Sequence, residues 1–366
     1  MTRAVVVDGP ETGAALVDVE VDQPARGEVR VAMAASGICG SDLHVLHGRT
    51  TAGVYPSLLG HEGAGVVEAT GEGVQGFTPG MRVILSMGAS CGRCARCAVG
   101  EAVLCEDPGR GHRLQGLMSD GSARVHRDGE IVHPFVGCGT LAEHAVVPAH
   151  ELVPLPDDVP FEVACLTACG VTTGLGAVFN IAQVWPGATV LVVGCGGVGL
   201  NVIQGCRLSG AARIVAADTN AAKLELATRM GATDVVDTSG TSLSDGVRAL
   251  LPRGVDIAFE VVGVPELVAE ALELTRAGGT CVAVGSNPPG SVFQIPAATL
   301  FPQRRLLGCM AGGNVPRREI PRIIELYRSG RLDLDTLVGA RLPLDRVDEA
   351  IAVAESGAVA RAVVTF

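Results

Sequence analysis

Four cysteines crowd one short stretch: Cys91-Gly92-Arg93-Cys94-Ala95-Arg96-Cys97, followed by Cys105. Four thiolates at this spacing, on one glycine-containing loop, can close a tetrahedron around zinc. Four sulfurs leave no open coordination position, so such a site would hold structure rather than perform chemistry. The competing explanations are an iron–sulfur cluster or a set of incidental reduced thiols.

A second signal is Val192-Val193-Gly194-Cys195-Gly196-Gly197-Val198-Gly199. It follows a strand-like apolar run and opens a helix-like one, the context of a dinucleotide-binding turn. Gly194 permits the tight turn, Gly196 lets the backbone approach a pyrophosphate, and Gly199 lets helix and strand pack closely. The helix N-terminus then offers unpaired N–H groups to the phosphates. Glycine-rich turns of this kind also occur for steric reasons alone. Asp218 adds weight, because it ends the next strand, where a carboxylate can accept both ribose hydroxyls and repel a 2′-phosphate. The cofactor expected is therefore NAD rather than NADP. Lys223 is either a further ribose contact or a solvated helix lysine.

The elements that must position these groups change character along the chain. Residues 1 to about 170 are a mosaic of short strands and glycine turns, with Glu28–Ala34, Gly63–Ala69, Met81–Ser86 and Thr140–Val147 as examples. That pattern predicts a β-rich, barrel-like domain. From Thr189 the pattern alternates: strand 189–194, helix 198–208, strand 213–218, helix 221–230, strand 234–237, helix 243–251, strand 256–262, helix 266–277 and strand 280–285. This rhythm predicts an α/β fold, a Rossmann-type doubly wound parallel sheet. A helix over 317–329 and a last strand over 362–366 form a tail too small to be a domain. It is expected to return to the first domain, giving a catalytic domain of residues 1–170 and 311–366, with a lobe at 91–105, around a nucleotide-binding domain of residues 171–310.

Composition limits the function. The chain has 366 residues, 48% of them hydrophobic and 18% charged, which supplies two sizeable cores. A net charge of -11 without a basic run argues against nucleic acid as a partner. No apolar run spans a bilayer, and the N-terminal strand Ala4–Val7 lacks the features of a signal peptide. A cytoplasmic location is expected, where the twelve cysteines stay reduced.

Four further segments bear a family resemblance: Cys39-Gly40-Ser41-Asp42-Leu43-His44, Gly60-His61-Glu62-Gly63, Ala168-Cys169-Gly170 and Ala360-Arg361 through Phe366. Together with the two motifs above, and in this order, they resemble the zinc-containing medium-chain alcohol dehydrogenases over essentially the whole chain. The resemblance implies a GroES-like first domain and two zinc ions per chain. Cys39, His61 and Cys169 would bind the catalytic zinc, leaving a fourth position for water or substrate oxygen. Asp42 would orient His61, and Glu62 would stand behind the metal or form a buried ion pair. Ser41 and His44 would relay the alcohol proton. Thr173, Val284 and Arg361 would join the cofactor contacts, and Met87, Val136, Cys309 and Met310 would line an apolar substrate pocket. Gly40 departs from the pattern, standing where a basic residue often touches the pyrophosphate.

The function implied is interconversion of an alcohol and its aldehyde or ketone, with hydride passing to or from NAD. A thiol-dependent formaldehyde dehydrogenase is one alternative, with Arg110, Arg113 and Arg124 holding the carboxylates of a thiol cofactor or standing as solvated loop charges. A dinucleotide-binding protein without turnover is the other. The resemblance implies a homodimer, formed through edge strands of the two nucleotide-binding sheets around Val284–Gln294, although tetramers also exist in the family.

Overall fold

In the first half of the chain, alternation of apolar and polar residues decides which face each strand buries. In the strand Glu28–Ile38, Val29, Val31 and Met33 point one way and meet Val67, Phe77, Val83, Leu85, Val147 and Leu152 in a single core. The computed structural model describes residues 1–87 and 90–366. It divides into two compact units, Met1–Gly170 with Val315–Phe366, and Val171–Asn314.

In the first unit, Glu28–Ile38 is the central strand. It pairs antiparallel with Glu62–Thr70, with His144–Pro148 and with the C-terminal strand Arg361–Thr365. The register of these pairings is specific. Gly37 stands opposite Glu62 on one side and Val363 on the other, and Ile38 stands opposite Ala362. Cys39, His61 and Arg361 therefore arrive at the same end of one sheet, from three distant parts of the sequence. A second sheet, built on Thr2–Val7 and Ala14–Val21, packs Ala4, Val6 and Val19 with Leu58, Val125 and Val132.

The expected strand Thr140–Val147 begins only at His144. Its first residues spend their backbone groups elsewhere: Thr140 N–H donates to Gly60 O, Leu141 N–H to Leu59 O, and Leu141 O accepts from Val5. These bonds hold the segment beside His61 instead of in the ladder.

The second unit is a parallel six-stranded sheet. In spatial order its strands are Asp234–Asp237, Arg213–Asp218, Thr189–Val193, Val255–Glu260, Thr275–Ala283 and Arg305–Gly308. Numbered along the chain this is 3-2-1-4-5-6, the doubly wound order. The strand order reverses at Thr189–Val193, where such sheets open a crevice for ligands at their carboxyl ends. Asn220 caps the helix Ala221–Met230, accepting from Ala222 N–H at 2.9 Å, and Ser242 caps Leu243–Leu250, accepting from Asp245 N–H at 3.0 Å.

Two expectations fail in this unit. The helix drawn over 266–277 ends at Glu273, because Thr275 is taken into the ladder opposite Val255. The segment Val284–Gln294 holds no strand, since Pro288, Pro289 and Gly290 interrupt it; the sheet edge is instead Arg305–Gly308. Among the described residues no single helix is long and apolar enough to cross a membrane.

The glycine motif is constrained by contact. Gly194 has φ +96°, and a Cβ on Gly199 would lie 1.9 Å from Gly194 O. Gly199→Ala is therefore expected to push the helix off the strand and to cost roughly 1–3 kcal/mol. Thermal unfolding measures it; an unchanged Tm would contradict this packing account.

Candidate active site and metal centres

Cys39 leaves the strand Glu28–Ile38 and starts the helix Gly40–Leu46. In the first turn of that helix, Asp42 is 1% exposed and does three things. Its Oδ2 accepts from Cys39 N–H at 2.9 Å, its Oδ1 accepts from Gly60 N–H at 2.9 Å, and Oδ1 stands 3.2 Å from His61 Nδ1. One carboxylate thus fixes the backbone beside both residues and the orientation of the imidazole, leaving Nε2 as the ring atom available to a ligand. Cys169 follows the short turn Cys165–Ala168. The donor atoms of Cys39, His61 and Cys169 lie within 4.8 Å of one another, and all three residues are buried.

The protonation chemistry of this cluster fits a cation. A hydrogen bond from Cys169 holds the Cys39 thiol well below its ordinary value, against the effect of burial and with help from Arg361. The same bond, with burial, pushes Cys169 well up. Burial alone would lower His61, but Asp42 and then Cys39 outweigh it and push the imidazole well up. Cys39 is thus the group of the three most ready to lose its proton, beside an imidazole disposed to keep one. A metal ion would replace the protons, bound by two sulfurs and one nitrogen with one position open.

Behind the cluster lies an ion pair. Glu62, fully buried, meets Arg361 through Oε2–Nε at 3.2 Å and Oε1–Nη2 at 3.3 Å. Glu62 Oε1 also accepts from Gly170 N–H at 3.0 Å, and Arg361 Nη2 lies 3.7 Å from Cys39 Sγ. A Cβ at residue 170 would sit 2.4 Å from Arg361 Nη2, so a larger residue after Cys169 would have to displace the guanidinium from its pair. Burial pushes Glu62 up to about 7, opposed by Arg361. Glu62 thus takes part in an ion pair, one of the two arrangements expected for it. The pairing of Arg361 with Glu62 gives no sequence signal, because the partners are 299 residues apart.

The second cluster is the cysteine lobe. The sulfurs of Cys91, Cys94, Cys97 and Cys105 also lie within 4.8 Å of one another. Backbone N–H groups converge on them: Cys94 and Arg93 donate to Cys91 Sγ at 3.3 and 3.5 Å, and Cys91 and Asp107 donate to Cys105 Sγ at 3.4 and 3.5 Å. Backbone donors around Glu106 and Cys97 bring Cys94 down to about 6. Sulfurs supplied with N–H donors and gathered four to a site suit a closed zinc centre.

The remaining candidates fall into two groups. In the first unit, Ser41 and His44 stand half-buried on the helix Gly40–Leu46. Burial holds His44 below its usual value, so it is neutral at neutral pH and able to take a proton. Gly40, Leu43, His44, His47, Arg49 and Glu355 line a hollow of about 270 Å³. Met87 follows the strand Arg82–Leu85, and Val136 sits in a tight turn at φ 45°.

The second unit collects Gly194, Gly196, Gly199, Asp218 and Val284 at the carboxyl ends of its strands. Asp218 Oδ2 accepts from Cys195 N–H at 2.8 Å and Oδ1 from Asn220 N–H at 2.9 Å, binding the glycine turn to the start of the next helix. Lys223 lies in the first turn of that helix, half-buried. Val284 N–H donates to Glu260 O at 2.8 Å, and Cys309 N–H to Ala283 O at 3.0 Å. Thr173 is half-buried on Gly170–Gly176, and Met310 is largely exposed.

Two of the three arginines are paired within the protein instead of standing as solvated loop charges. Arg113 is 2% exposed and holds Glu151 through two bonds of 3.0 and 2.6 Å, and Arg124 holds Glu28 through two of 2.8 Å. Arg110 donates to Val103 O at 2.8 Å. Sequence reasoning also missed Phe135, whose ring stands edge-on to His61 with centroids 5.2 Å apart.

Breaking the buried pair tests its energetics. Arg361→Met leaves Glu62 without its cation and is expected to cost roughly 3–5 kcal/mol. Adding Glu62→Gln is expected to recover most of that loss in denaturant unfolding. Two losses that simply add would contradict the pairing.

Comparison with known proteins agrees with this geometry. Residues 25–157 match the alcohol dehydrogenase GroES-like domain, and residues 197–329 match the zinc-binding dehydrogenase domain. Alcohol dehydrogenase 6 of Peromyscus maniculatus is 36% identical, covering 99% of this chain and 96% of its own. S-(hydroxymethyl)glutathione dehydrogenase of Haemophilus influenzae is 36% identical, covering 100% and 97%. The crystal structure of benzyl alcohol dehydrogenase from Acinetobacter calcoaceticus superposes with a TM-score of 0.92 at 28% identity, covering 100% of this chain and 99% of that one. With two buried sulfurs and an imidazole gathered in its first unit, a doubly wound sheet in its second and relatives matched from end to end, the chain belongs to the zinc-dependent medium-chain alcohol dehydrogenases.

Proposed function

We propose that the protein is an NAD-dependent alcohol dehydrogenase, interconverting a nonpolar alcohol and its aldehyde or ketone. The observation that carries this reading is the buried trio Cys39, His61 and Cys169, three donors with a fourth position left over. Zinc bound there supplies a Lewis acid that makes an alcohol proton easier to lose and a carbonyl easier to reduce.

The chain's own residues do the rest. Asp42 holds the His61 ring at Nδ1, which leaves Nε2 as the nitrogen for a metal. Arg361 and Glu62 balance the thiolate charge from behind. Ser41, on the same helical turn as Asp42, takes the alcohol proton, and neutral His44, one turn on, passes it outward. The glycine turn receives the cofactor pyrophosphate at a helix N-terminus, and Asp218 accepts the ribose hydroxyls. Thr173, Val284 and Lys223 complete the cofactor contacts. In the first unit, Met87 and Val136 supply an apolar lining. The sulfurs of Cys91, Cys94, Cys97 and Cys105 would hold a second zinc, which would tie the loop together without an open position for chemistry. Both clusters need reduced thiols, which fits a cytoplasmic setting.

A thiol-adduct substrate is disfavoured, because Arg113 and Arg124 are committed to Glu151 and Glu28. A protein without turnover is disfavoured by the presence of Ser41 and His44 beside the trio. A homodimer is supported by the edge strand Arg305–Gly308 and by exposed apolar residues near it in sequence, Phe301 at 91% and Val292 at 71%.

The test is metal content with turnover on one preparation. About two zinc ions per chain, with NADH formed from alcohols and no need for an added thiol, is the expected result. No turnover across a broad panel would overturn the reading. Asp218→Gly is expected to move preference toward NADP; unchanged preference would mean that another group reads the ribose.

A further inference from the structure

The environment of Arg113 reaches the trio by a route that neither motif announces. Arg113 lies on the helix Gly109–Leu114, which is anchored to the cysteine lobe: Asp107 N–H donates to Cys105 Sγ at 3.5 Å, and Asp107 Oδ1 accepts from Gly109 N–H at 2.9 Å. Besides its paired bonds to Glu151, the Arg113 guanidinium donates through Nη2 to Gly137 O at 2.6 Å and through Nη1 to Leu117 O at 3.1 Å. Gly137 closes the turn that begins at Phe135, and Cys138 N–H returns to Phe135 O at 3.0 Å.

That turn is under strain. Val136 has φ 45° and ψ 33°, the left-handed region, which a β-branched side chain strongly disfavours. Strained residues persist only where their surroundings hold them. Here the holding group is a buried arginine bound to the single carboxylate of Glu151 through two bonds. The result of the strain is a position: Phe135, 4% exposed, sets its ring edge-on against His61, with planes 85° apart. His61 is thereby fixed from two sides, by Asp42 at Nδ1 and by Phe135 against the ring face or edge.

We infer that Arg113 is a positioning residue for the metal ligand His61, acting by holding the strained turn Phe135–Gly137. The inference rests on the reading of Cys39, His61 and Cys169 as a metal site. Groups surrounding a ligand change metal affinity when lost, typically 10–100-fold.

The experiment uses the full chain with both sites loaded, and measures zinc affinity by chelator competition beside thermal unfolding. Arg113→Gln with Glu151→Gln removes both buried charges together. It is expected to weaken the Cys39–His61–Cys169 site roughly 10–100-fold while the cysteine lobe keeps its metal. Adding Val136→Gly, which adopts the same backbone without strain, is expected to restore the affinity. Phe135→Leu is expected to give the same loss, and Val136→Gly is not expected to restore it. A charge-pair variant that unfolds earlier but holds zinc at the trio as tightly as the wild type would overturn the inference, as would a loss that Val136→Gly leaves unrestored. A wild type whose zinc binding matches that of Cys39→Ala would instead overturn the metal reading, and the inference with it.

Discussion

Gathering two sulfurs and an imidazole in the buried interior is the constraint on which the first unit depends. Each group is costly to bury alone. Together they are tolerated only because charge is balanced at short range: Asp42 against His61, Arg361 against Glu62 and Cys39. This arrangement in turn demands a particular sheet. Only if Gly37 faces Glu62 and Val363 at once do Cys39, His61 and Arg361 meet. A slip of one residue would turn the neighbouring side chains to the opposite face.

The return of the C-terminal strand follows from the same requirement. Arg361–Thr365 could add to a sheet edge anywhere its apolar pattern fits, yet it lies beside Glu28–Ile38 and delivers its first residue to the site. The second unit obeys a different logic. Its site is made of backbone more than of side chains: a glycine turn with no room for a Cβ at Gly199 and a carboxylate, Asp218, that ties that turn to the next helix. The nucleotide-binding half therefore needs close approach, and the metal-binding half needs charge balance.

These two logics explain what was legible in the sequence. Spacing alone exposed the cysteine lobe and the glycine turn, because their parts are local in the chain. The alternating strands and helices of the second unit were legible for the same reason, each strand being followed by the helix that covers it. The trio was recognisable only through resemblance, since about 130 residues of unrelated periodicity separate Cys39 from Cys169. The Glu62–Arg361 pair, the contact of Phe135 with His61 and the burial of Arg113 were not legible. They depend on sheet register and on a strained turn at Val136, neither of which leaves a period. The early end of the helix at Glu273 has the same origin: Thr275 is claimed by its neighbour Val255, a tertiary demand that overrides local pattern.

The most direct test of the trio is X-ray absorption at the zinc edge, comparing the loaded wild type with Cys39→Ala. The account predicts a mixed shell of sulfur and nitrogen in the wild type. In Cys39→Ala it predicts loss of part of the zinc and a remaining shell of sulfur alone, that of the cysteine lobe. A spectrum and a zinc content unchanged by the substitution would show that Cys39 holds no metal, and would contradict the account at its centre.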